Sequence, residues 1–445
     1  MKQGCILSPL LFNIYLSDLP KILDNDLNLT NPNSVHPSCL IWADDIVLFS
    51  LNEEGLNRML KSIEKYCEDN ELVLNKDKTK CLIFNKTGRL IRKYFYFNNT
   101  KLETVRSFKY LGFLLTPSGE IKSGLEDLRD RAMKAFFKLK NSMGTSFHIH
   151  IETTLHMLDT LIKPILLYAA DFWGCLKPPK DNPIERFHHM ACKHILGVQK
   201  QTTNVGVLLE LGRIPLQIYA VKTSIKNWER IKSSQLNEHL QTSYTRAMTY
   251  NLPWVATIRD LLHTNGLASF YTNRFEGKPP FIHKRIYQIL SDNFHQNTFS
   301  TIGNPESKLR TYGLLKTQIG FEKYLRQITN PTVRQSRTKL RLSNHTLNIE
   351  VGRHNKIPKE LRFCPFCPNS VESEVHFIVE CHTYNTLREK VWDKLICSRP
   401  NFIYYTPTQK FKFMLSEENI QHTSHFIHRC FEIRKFIIAR HKRPF

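Results

Sequence analysis

The stretch CLIWADDIVLF, residues 39–49, places two adjacent carboxylates between two short apolar runs. Each run, 39–42 and 46–49, has the length of a strand, and only a short polar link separates them. The pattern predicts a β-hairpin with Asp44 and Asp45 at its tip. Neighbouring carboxylates repel each other, and a divalent cation such as Mg²⁺ relieves that repulsion. Taken by itself, the pair also fits an acidic turn that faces water.

The flanking sequence gives this hairpin a context. QGCILSPLLFNIYLSDLP precedes it at residues 3–20, where Ser8 and Pro9 favour the start of a helix. After it, Leu56, Leu60 and Ile63 recur at helical spacing. NKDKTK follows at 75–80, and strands are expected at 80–84 and 108–115. The latter contains Tyr110, Leu111 and Gly112.

In this order the segments resemble motifs B, C, D and E of the reverse transcriptase palm, which are QG-x-x-L-SP, x-A-D-D, N-x-x-K-T-K and Y-L-G. Further segments resemble the LINE-type, non-LTR retrotransposon reverse transcriptases: FNIYLSDLP at 12–20, YAADFWG at 168–174, KHILGV at 193–198 and ELGRIPL at 210–216. The resemblance extends from residue 1 to about 395 and is vague between about 235 and 320. It implies RNA-directed DNA polymerase activity by two-metal nucleotidyl transfer.

The resemblance also implies roles for the carboxylates and for a lysine. Asp44 would be the main Mg²⁺ ligand and Asp45 its partner. Lys78 would approach the triphosphate and protonate the leaving pyrophosphate, with Lys76 and Lys80 as alternatives.

Five further residues would lie along the substrate. Gln3 and Gly4 would lie beside the nascent base pair, where a glycine lets the backbone approach closely. Tyr110, Leu111 and Gly112 would form part of the primer-gripping hairpin. For Leu111, a plain position in the core of a strand is the open alternative.

Motif A, with its metal-binding aspartate, and the fingers normally precede motif B. Since this sequence starts at motif B, we expect a truncated reverse transcriptase with an incomplete active site that is inactive alone. One alternative is a non-enzymatic, zinc-stabilised nucleic-acid-binding protein. Another is a module that completes a polymerase site with fingers from a second chain.

A Cys/His cluster follows the pattern C-x2-C-x8-H-x4-C at Cys364, Cys367, His376 and Cys381. With eleven cysteines and no secretory signal, we expect reduced thiols, and this spacing favours a structural, tetrahedral Zn²⁺ site. His382 is an alternative fourth ligand. Four separate thiols and a surface histidine are the alternative to a metal. The surrounding residues resemble the carboxy-terminal Cys/His region of LINE-type elements, which implies contact with template RNA or target DNA.

The charge balance indicates a polyanionic partner. Lysine and arginine number 63 against 40 acidic residues, a formal charge of +23. RNA and DNA are the expected partners. Arg334, Arg337, Lys339 and Arg341 are candidate phosphate contacts, with a solvated basic face as the alternative. No apolar run reaches membrane-spanning length, so we expect no membrane association and an intracellular protein, nuclear or cytoplasmic.

The expected fold class is α+β. A palm remnant, an antiparallel sheet with helices, would occupy residues 1–120. It would be followed by a helical thumb-like region at 121–230, a basic helical connector at 231–335, a zinc module at 336–400 and a basic carboxy-terminal tail at 401–445.

Overall fold

The computed structural model describes residues 7–26, 38–233, 238–272, 281–304 and 307–441. The chain divides into two compact units, the first made of 1–127 with 227–280 and the second of 128–226 with 281–445. Each of the two units combines stretches from several of the five expected segments. The division into those five segments stays a prediction. Within the described ranges, every helix is too short or too polar to cross a membrane.

The amino-terminal part of the first unit is a mixture of helices and short strands, as the α+β expectation requires. Its elements are α1 (Ser8–Tyr15), α2 (Leu19–Asp26), β1 (Cys39–Trp42), β2 (Asp45–Leu48), α3 (Glu53–Asp69), β3 (Lys80–Cys81), β4 (Phe95–Phe97), β5 (Thr100–Thr104), β6 (Phe108–Tyr110) and β7 (Phe113–Leu115).

These strands form three small sheets rather than one antiparallel sheet. β1 pairs antiparallel with β2, and β6 pairs antiparallel with β7. The third sheet has the order β3-β5-β4, with β3 parallel and β4 antiparallel to β5. The run 108–115, expected as one strand, is therefore a hairpin, and the strand expected at 80–84 shortens to two residues.

Helix α3 supplies the core of this region. Its side chains Met59, Leu60, Ile63 and Tyr66 are buried at the three- and four-residue spacing of one helix face. They pack in one cluster with buried residues of α2, β1, β4 and β5. Asn52 caps the helix by accepting the N–H of Gly55 at 2.8 Å. This packing fixes the base of the hairpin that carries the two aspartates.

The middle of the chain is helical, as predicted. Its elements are α4 (Lys122–Met143), α5 (Ser146–Ile149), α6 (Ile151–Met157), a π-helical turn (Leu158–Ile162), α7 (Lys163–Leu166), α8 (Ala170–Trp173), α9 (Pro183–Leu196), α10 (Asn204–Glu210), α11 (Leu216–Ser233), α12 (Glu238–Thr249), α13 (Pro253–Thr264), α14 (Ala268–Thr272) and α15 (Ile282–Gly303).

The remaining elements all belong to the second unit. They are α16 (Tyr312–Leu315), α17 (Tyr324–Gln327), α18 (Pro331–Arg341), α19 (Asn348–His354), a 3₁₀ turn (Lys359–Leu361), a π turn (His376–Glu380), a 3₁₀ turn (His382–Tyr384), α20 (Asn385–Ser398), a 3₁₀ turn (Pro400–Tyr404), α21 (Pro407–Met414), a 3₁₀ turn (Glu417–Asn419) and α22 (Ile420–His441).

Residues 407–441, expected as a tail, are helical and contribute to a core. Phe411, Met414, Ile427 and Cys430 are fully buried and cluster with the cysteines of the Cys/His region. The apolar spacing along these two helices explains the difference from the expectation, because it offers a buried face that the basic charge of the segment obscures.

Candidate functional site

The two aspartates lie at the tip of a tight hairpin, as predicted. Trp42 pairs with Asp45, so Ala43 and Asp44 alone connect the strands. Ala43 has φ +53°, the left-handed region that two-residue hairpin turns require. Both carboxylates are exposed. The turn therefore presents two oxygen ligands to solvent from a rigid base.

The carboxylate pair is not a complete metal site within the described part of the chain. There, the one group of three or more histidine, cysteine and acidic side chains close enough to share an ion is the Cys/His cluster. Mg²⁺ takes six oxygens and accepts one or two carboxylates with waters and phosphates. Asp44 and Asp45 can supply the carboxylate share of such a shell, and the other ligands have to come from elsewhere.

A second tight hairpin lies close to the first. Leu111 and Gly112 connect β6 to β7 with φ +45° and +80°, and positive φ at both central residues is typical of a type I′ turn. Leu111 is thus at a turn and 37% exposed, which excludes the strand-core alternative. Burial raises the pKa of Tyr110, and the negative charge of Asp45 raises it further. Motifs C and E are therefore electrostatic neighbours.

The three lysines of motif D differ in their partners. The Lys76 ammonium donates to the Thr100 hydroxyl at 2.9 Å, and Lys80 forms an ion pair with Glu103 at 2.7 Å. Lys78 is exposed, and within the described residues its ammonium has no partner. Its backbone N–H donates to the Asn75 side chain at 3.1 Å, which holds the turn. Of the three, Lys78 is the lysine available to a substrate.

Gln3 and Gly4 lie outside the described residues. The helix that follows them is anchored: the Tyr15 hydroxyl donates to the carbonyl of Asn70 at 2.7 Å, and the Tyr66 hydroxyl donates to Asp18 at 2.6 Å. These bonds tie the end of α1 and the turn after it, which follow motif B, to the carboxy-terminal part of α3.

The Cys/His residues converge as their spacing predicted. Ligand atoms of Cys364, Cys367, His376 and Cys381 lie within 4.8 Å of one another, and all four residues are buried. The Cys381 sulfur is 3.9 Å from that of Cys364 and 3.6 Å from that of Cys367. A tetrahedral ion with Zn–S bonds of about 2.3 Å separates its sulfurs by about 3.8 Å. The donor set fits zinc.

The histidine of the cluster is oriented toward the same point. Its Nε2 atom is buried without a hydrogen-bond partner, while Nδ1 lies 3.5 Å from the Glu380 carboxylate. A metal-binding imidazole commonly has this arrangement, with one nitrogen on the ion and the other held by a carboxylate. His382, the alternative ligand, places Nδ1 3.0 Å from the Cys367 sulfur and is not part of the four-residue group.

The thiols of the cluster perturb one another. The hydrogen bond from Cys364 lowers the pKa of Cys381 to about 3, and the same bond raises the pKa of Cys364. The backbone holds the cluster together: the N–H of Cys364 donates to Ser370 at 2.7 Å, and the N–H of Cys381 donates to His376 at 2.8 Å.

Three of the four predicted phosphate contacts are buried. Arg334, Arg337 and Arg341 are at most 3% exposed on α18. Their guanidinium groups donate to internal oxygens, namely the carbonyls of Ile149, Ile328 and Leu415, the hydroxyl of Thr423 and the carboxylate of Glu210. A phosphate would have to displace these partners, so the structure argues against a nucleic-acid role for the three arginines. Lys339 is partly exposed and stays a predicted contact.

Sequence reasoning assigned no role to two features that the structure reveals. One is the buried Glu210, which pairs with Arg341 from 131 positions away. The other is the exposed face of the β4–β5 hairpin. For that face a signal existed, because residues 84–101 contain five basic residues and no acidic one. For Glu210, the resemblance of ELGRIPL to LINE-type proteins singled out the segment but gave no indication of the buried pair with Arg341.

Comparisons with known proteins agree with the geometry of the first unit. A family model described as "Reverse transcriptase (RNA-dependent DNA polymerase)" matches residues 1–115. A Pol polyprotein from a type-1 retrotransposable element of Nasonia vitripennis is 24% identical over 319 residues, which cover 63% of this chain and 31% of that protein.

Two further relatives are also proteins of transposable elements. A transposon-derived protein of Caenorhabditis elegans is 28% identical over 151 residues, covering 34% of this chain and 50% of that protein. A Pol polyprotein from a type-2 retrotransposable element of Drosophila melanogaster is 28% identical over 132 residues, covering 27% and 12%. The chain thus spans half or less of the length of these relatives.

The family match includes the aspartate hairpin, the motif D lysines and the Tyr110 hairpin, and the relatives that extend beyond it come from retrotransposable elements. Residues 1–115 therefore belong to the reverse transcriptase family, and the chain is related to the LINE-type proteins of non-LTR retrotransposons.

Proposed function

We propose that the chain contributes the palm of an RNA-directed DNA polymerase, in which Asp44 and Asp45 bind catalytic Mg²⁺. The observation that carries this proposal is the exposed carboxylate pair at a tight hairpin tip, beside the hairpin of Tyr110. The implied partners are an RNA template and a DNA primer.

Each residue of this site has a separate task in nucleotidyl transfer. Mg²⁺, when bound, lowers the pKa of the attacking 3′-hydroxyl and stabilises charge on the leaving pyrophosphate. Asp44 and Asp45 would hold the ion, and the packing of their hairpin against the α3 core would fix the direction in which the two carboxylates face. Lys78, whose exposed ammonium has no partner among the residues that the structure describes, donates a proton to the pyrophosphate oxygen as the bond to the α-phosphate breaks.

The described residues offer the pair no third carboxylate. We therefore expect the chain by itself to bind Mg²⁺ weakly and to extend a primer poorly. Positioning and charge stabilisation supply most of the rate enhancement in this chemistry, and both depend on a complete ligand shell.

Asp44→Asn should strongly slow primer extension by a polymerase that contains this chain. We expect a fusion of this chain to the segment of the Nasonia relative that precedes its match to extend a DNA primer on an RNA template. Asp44→Asn should lower the rate by about a hundredfold to a thousandfold, because one anionic metal ligand is lost. Asp69→Asn, which removes an exposed carboxylate at the end of α3, is the matched control. Equal extension by the fusion with and without Asp44→Asn would refute the assignment.

In the second unit, we propose that Cys364, Cys367, His376 and Cys381 bind a structural Zn²⁺. Four protein ligands leave no open position for a substrate, so the ion would stabilise the fold rather than take part in a reaction. The orphaned Nε2 of His376 and the spacing of the sulfurs support this proposal.

The incomplete carboxylate site and the charge of +23 favour one alternative, a non-enzymatic nucleic-acid-binding protein stabilised by zinc. The two functions differ in the consequence of Asp44. If the alternative holds, Cys364→Ser abolishes nucleic-acid binding. Asp44→Ala then changes neither nucleic-acid binding nor primer extension by the fusion described above.

A further inference from the structure

The β4–β5 hairpin of the first unit has an unusual outer face. Phe95 and Phe97 point inward and are buried, whereas Tyr94 and Tyr96 point outward and are 57% and 53% exposed. The strand register pairs Tyr96 with Lys101. Because side chains alternate between the faces of a strand, Tyr94, Tyr96 and Lys101 share the outer face. We name these three residues the Tyr–Lys face.

The components of this face are in contact. The Lys101 ammonium lies 3.7 Å from the centroid of the Tyr94 ring, a cation–π distance. Lys80 and Glu103, which lie across the parallel pairing of the same sheet, neutralise each other in an ion pair. The lysine over the ring therefore supplies the positive charge of the face.

The segment that carries the face is one-sided in charge. Residues 84–101 include Lys86, Arg89, Arg92, Lys93 and Lys101 and contain no Asp or Glu. Lys93 pairs with Glu53, whereas Lys86, Arg89 and Arg92 are exposed and have no acidic partner among the described residues. Lys101 lies at a ring, and the other three cations lie in the same segment as the exposed rings, a composition typical of surfaces that bind a nucleic-acid strand.

We propose that the Tyr–Lys face is a stacking platform for single-stranded nucleic acid, with Lys86, Arg89 and Arg92 available to its phosphates. The proposal deepens the polymerase function proposed above, since such an enzyme handles an unpaired template and a displaced or nascent strand. The face takes no part in the reaction itself. Its task is to hold a strand by its bases while the carboxylate site works at the primer end.

The chemistry of the face selects a single strand over other polyanions. Tyrosine rings stack on the faces of bases, and a duplex keeps those faces covered. An acidic peptide would satisfy the lysine and arginine charges but would gain little from the two rings. Stacking tolerates every base, so the platform is expected to bind with little sequence preference.

Binding of fluorescent 20-nucleotide single strands by the full chain tests the proposal. Tyr94→Ala and Tyr96→Ala should each weaken binding about tenfold, the loss typical of one stacked base. Tyr94→Phe and Tyr96→Phe should restore most of the affinity because they keep the rings. Tyr250→Ala, in the same unit and 63% exposed, is the matched control and should have no effect. Circular dichroism of each variant confirms that the fold is intact.

The RNA and DNA arms of this assay identify the occupant. A loss with either single strand supports the platform, and the larger loss names the strand that it holds. Wild-type affinity in the Tyr94→Ala, Tyr96→Ala double variant would overturn the proposal. So would an equal loss with duplex DNA, because a duplex cannot stack on the rings. Loss of Lys101 charge in Lys101→Gln should weaken binding and flatten its salt dependence.

Together, the binding assay and the primer-extension assay on the fusion separate this proposal from the polymerase assignment. Asp69→Asn, which lies outside both the Tyr–Lys face and the carboxylate site, should leave single-strand binding unchanged. If the tyrosine variants weaken binding while Asp44→Asn has no effect on extension, the platform stands and the polymerase proposal fails. If the tyrosine variants bind normally while Asp44→Asn slows extension, the platform proposal fails and the polymerase proposal stands.

Discussion

Cys381→Ser should release zinc from the protein and unfold the region around the Cys/His cluster. Cys381 is the sulfur that contacts both other thiols, and it lies in the same core as Phe377, Tyr384 and Cys430. Structural zinc contributes an apparent binding free energy of about 10–16 kcal/mol in small zinc-binding peptides, and an ion at the proposed site would couple that energy to folding of the second unit. Loss of one ligand should remove most of it.

Metal analysis and thermal unfolding measure this effect together. The wild-type protein should contain one equivalent of zinc, and the variant should contain little and unfold at a markedly lower temperature. Cys397→Ser is the matched control, because Cys397 is exposed and outside the cluster. A metal-free wild-type protein whose stability does not change on Cys381→Ser would contradict a zinc site here.

Glu210→Ala should be strongly destabilising. The Glu210 carboxylate is inaccessible to solvent and accepts hydrogen bonds from Arg341 at 2.7 Å and from the Tyr324 hydroxyl. Burial alone would raise the pKa of Glu210, but the charge and hydrogen bond of Arg341 lower it below its usual range, so the group is ionised. Removing it takes away the fully buried partner of Arg341, leaves Glu322 at 2.8 Å as a partly exposed one, and should cost about 3–5 kcal/mol in the free energy of unfolding.

Chemical denaturation of matched variants checks this value. Glu152→Ala is the control, because Glu152 pairs with Arg326 in the same unit but both side chains are exposed. A surface pair of this kind contributes at most about 1 kcal/mol. Arg341→Met combined with Glu210→Ala should recover part of the loss, because no unpaired charge remains. Similar costs for Glu210→Ala and Glu152→Ala would show that the buried pair is not needed.

The aspartate hairpin and the Cys/His cluster were predictable because each is specified by residues that are close together in sequence. Two apolar runs of strand length are separated only by Ala43, Asp44 and Asp45. A link this short predicts a hairpin. The spacing of Cys364, Cys367, His376 and Cys381 likewise identifies the set that converges. The hairpin pattern spans 11 residues and the Cys/His pattern spans 18, so no knowledge of the rest of the fold is required.

The roles of the α18 arginines depend on partners that are distant in sequence. Arg334, Arg337 and Arg341 recur at helical spacing, which is also the pattern of a solvated basic face. What makes them internal is the position of Glu210 and Thr423, which are 131 and 86 residues from the arginines they contact. A sequence pattern gives no such pairing. For a related reason the apolar pattern of 108–115 indicates a single strand, since a leucine at positive φ is atypical, whereas the resemblance to motif E implies a hairpin there.

Iron-directed cleavage measures directly whether Asp44 and Asp45 bind a divalent metal. Fe²⁺ can substitute for Mg²⁺ at oxygen ligands and, with ascorbate and peroxide, cuts the backbone near the bound ion. The full chain, preloaded with zinc to protect its thiols, should be cut at residues 42–46 and near Tyr110. Excess Mg²⁺ should suppress both cuts, and Asp44→Asn should abolish them while Asp69→Asn does not. Cleavage that ignores Asp44→Asn and Mg²⁺ would contradict the account.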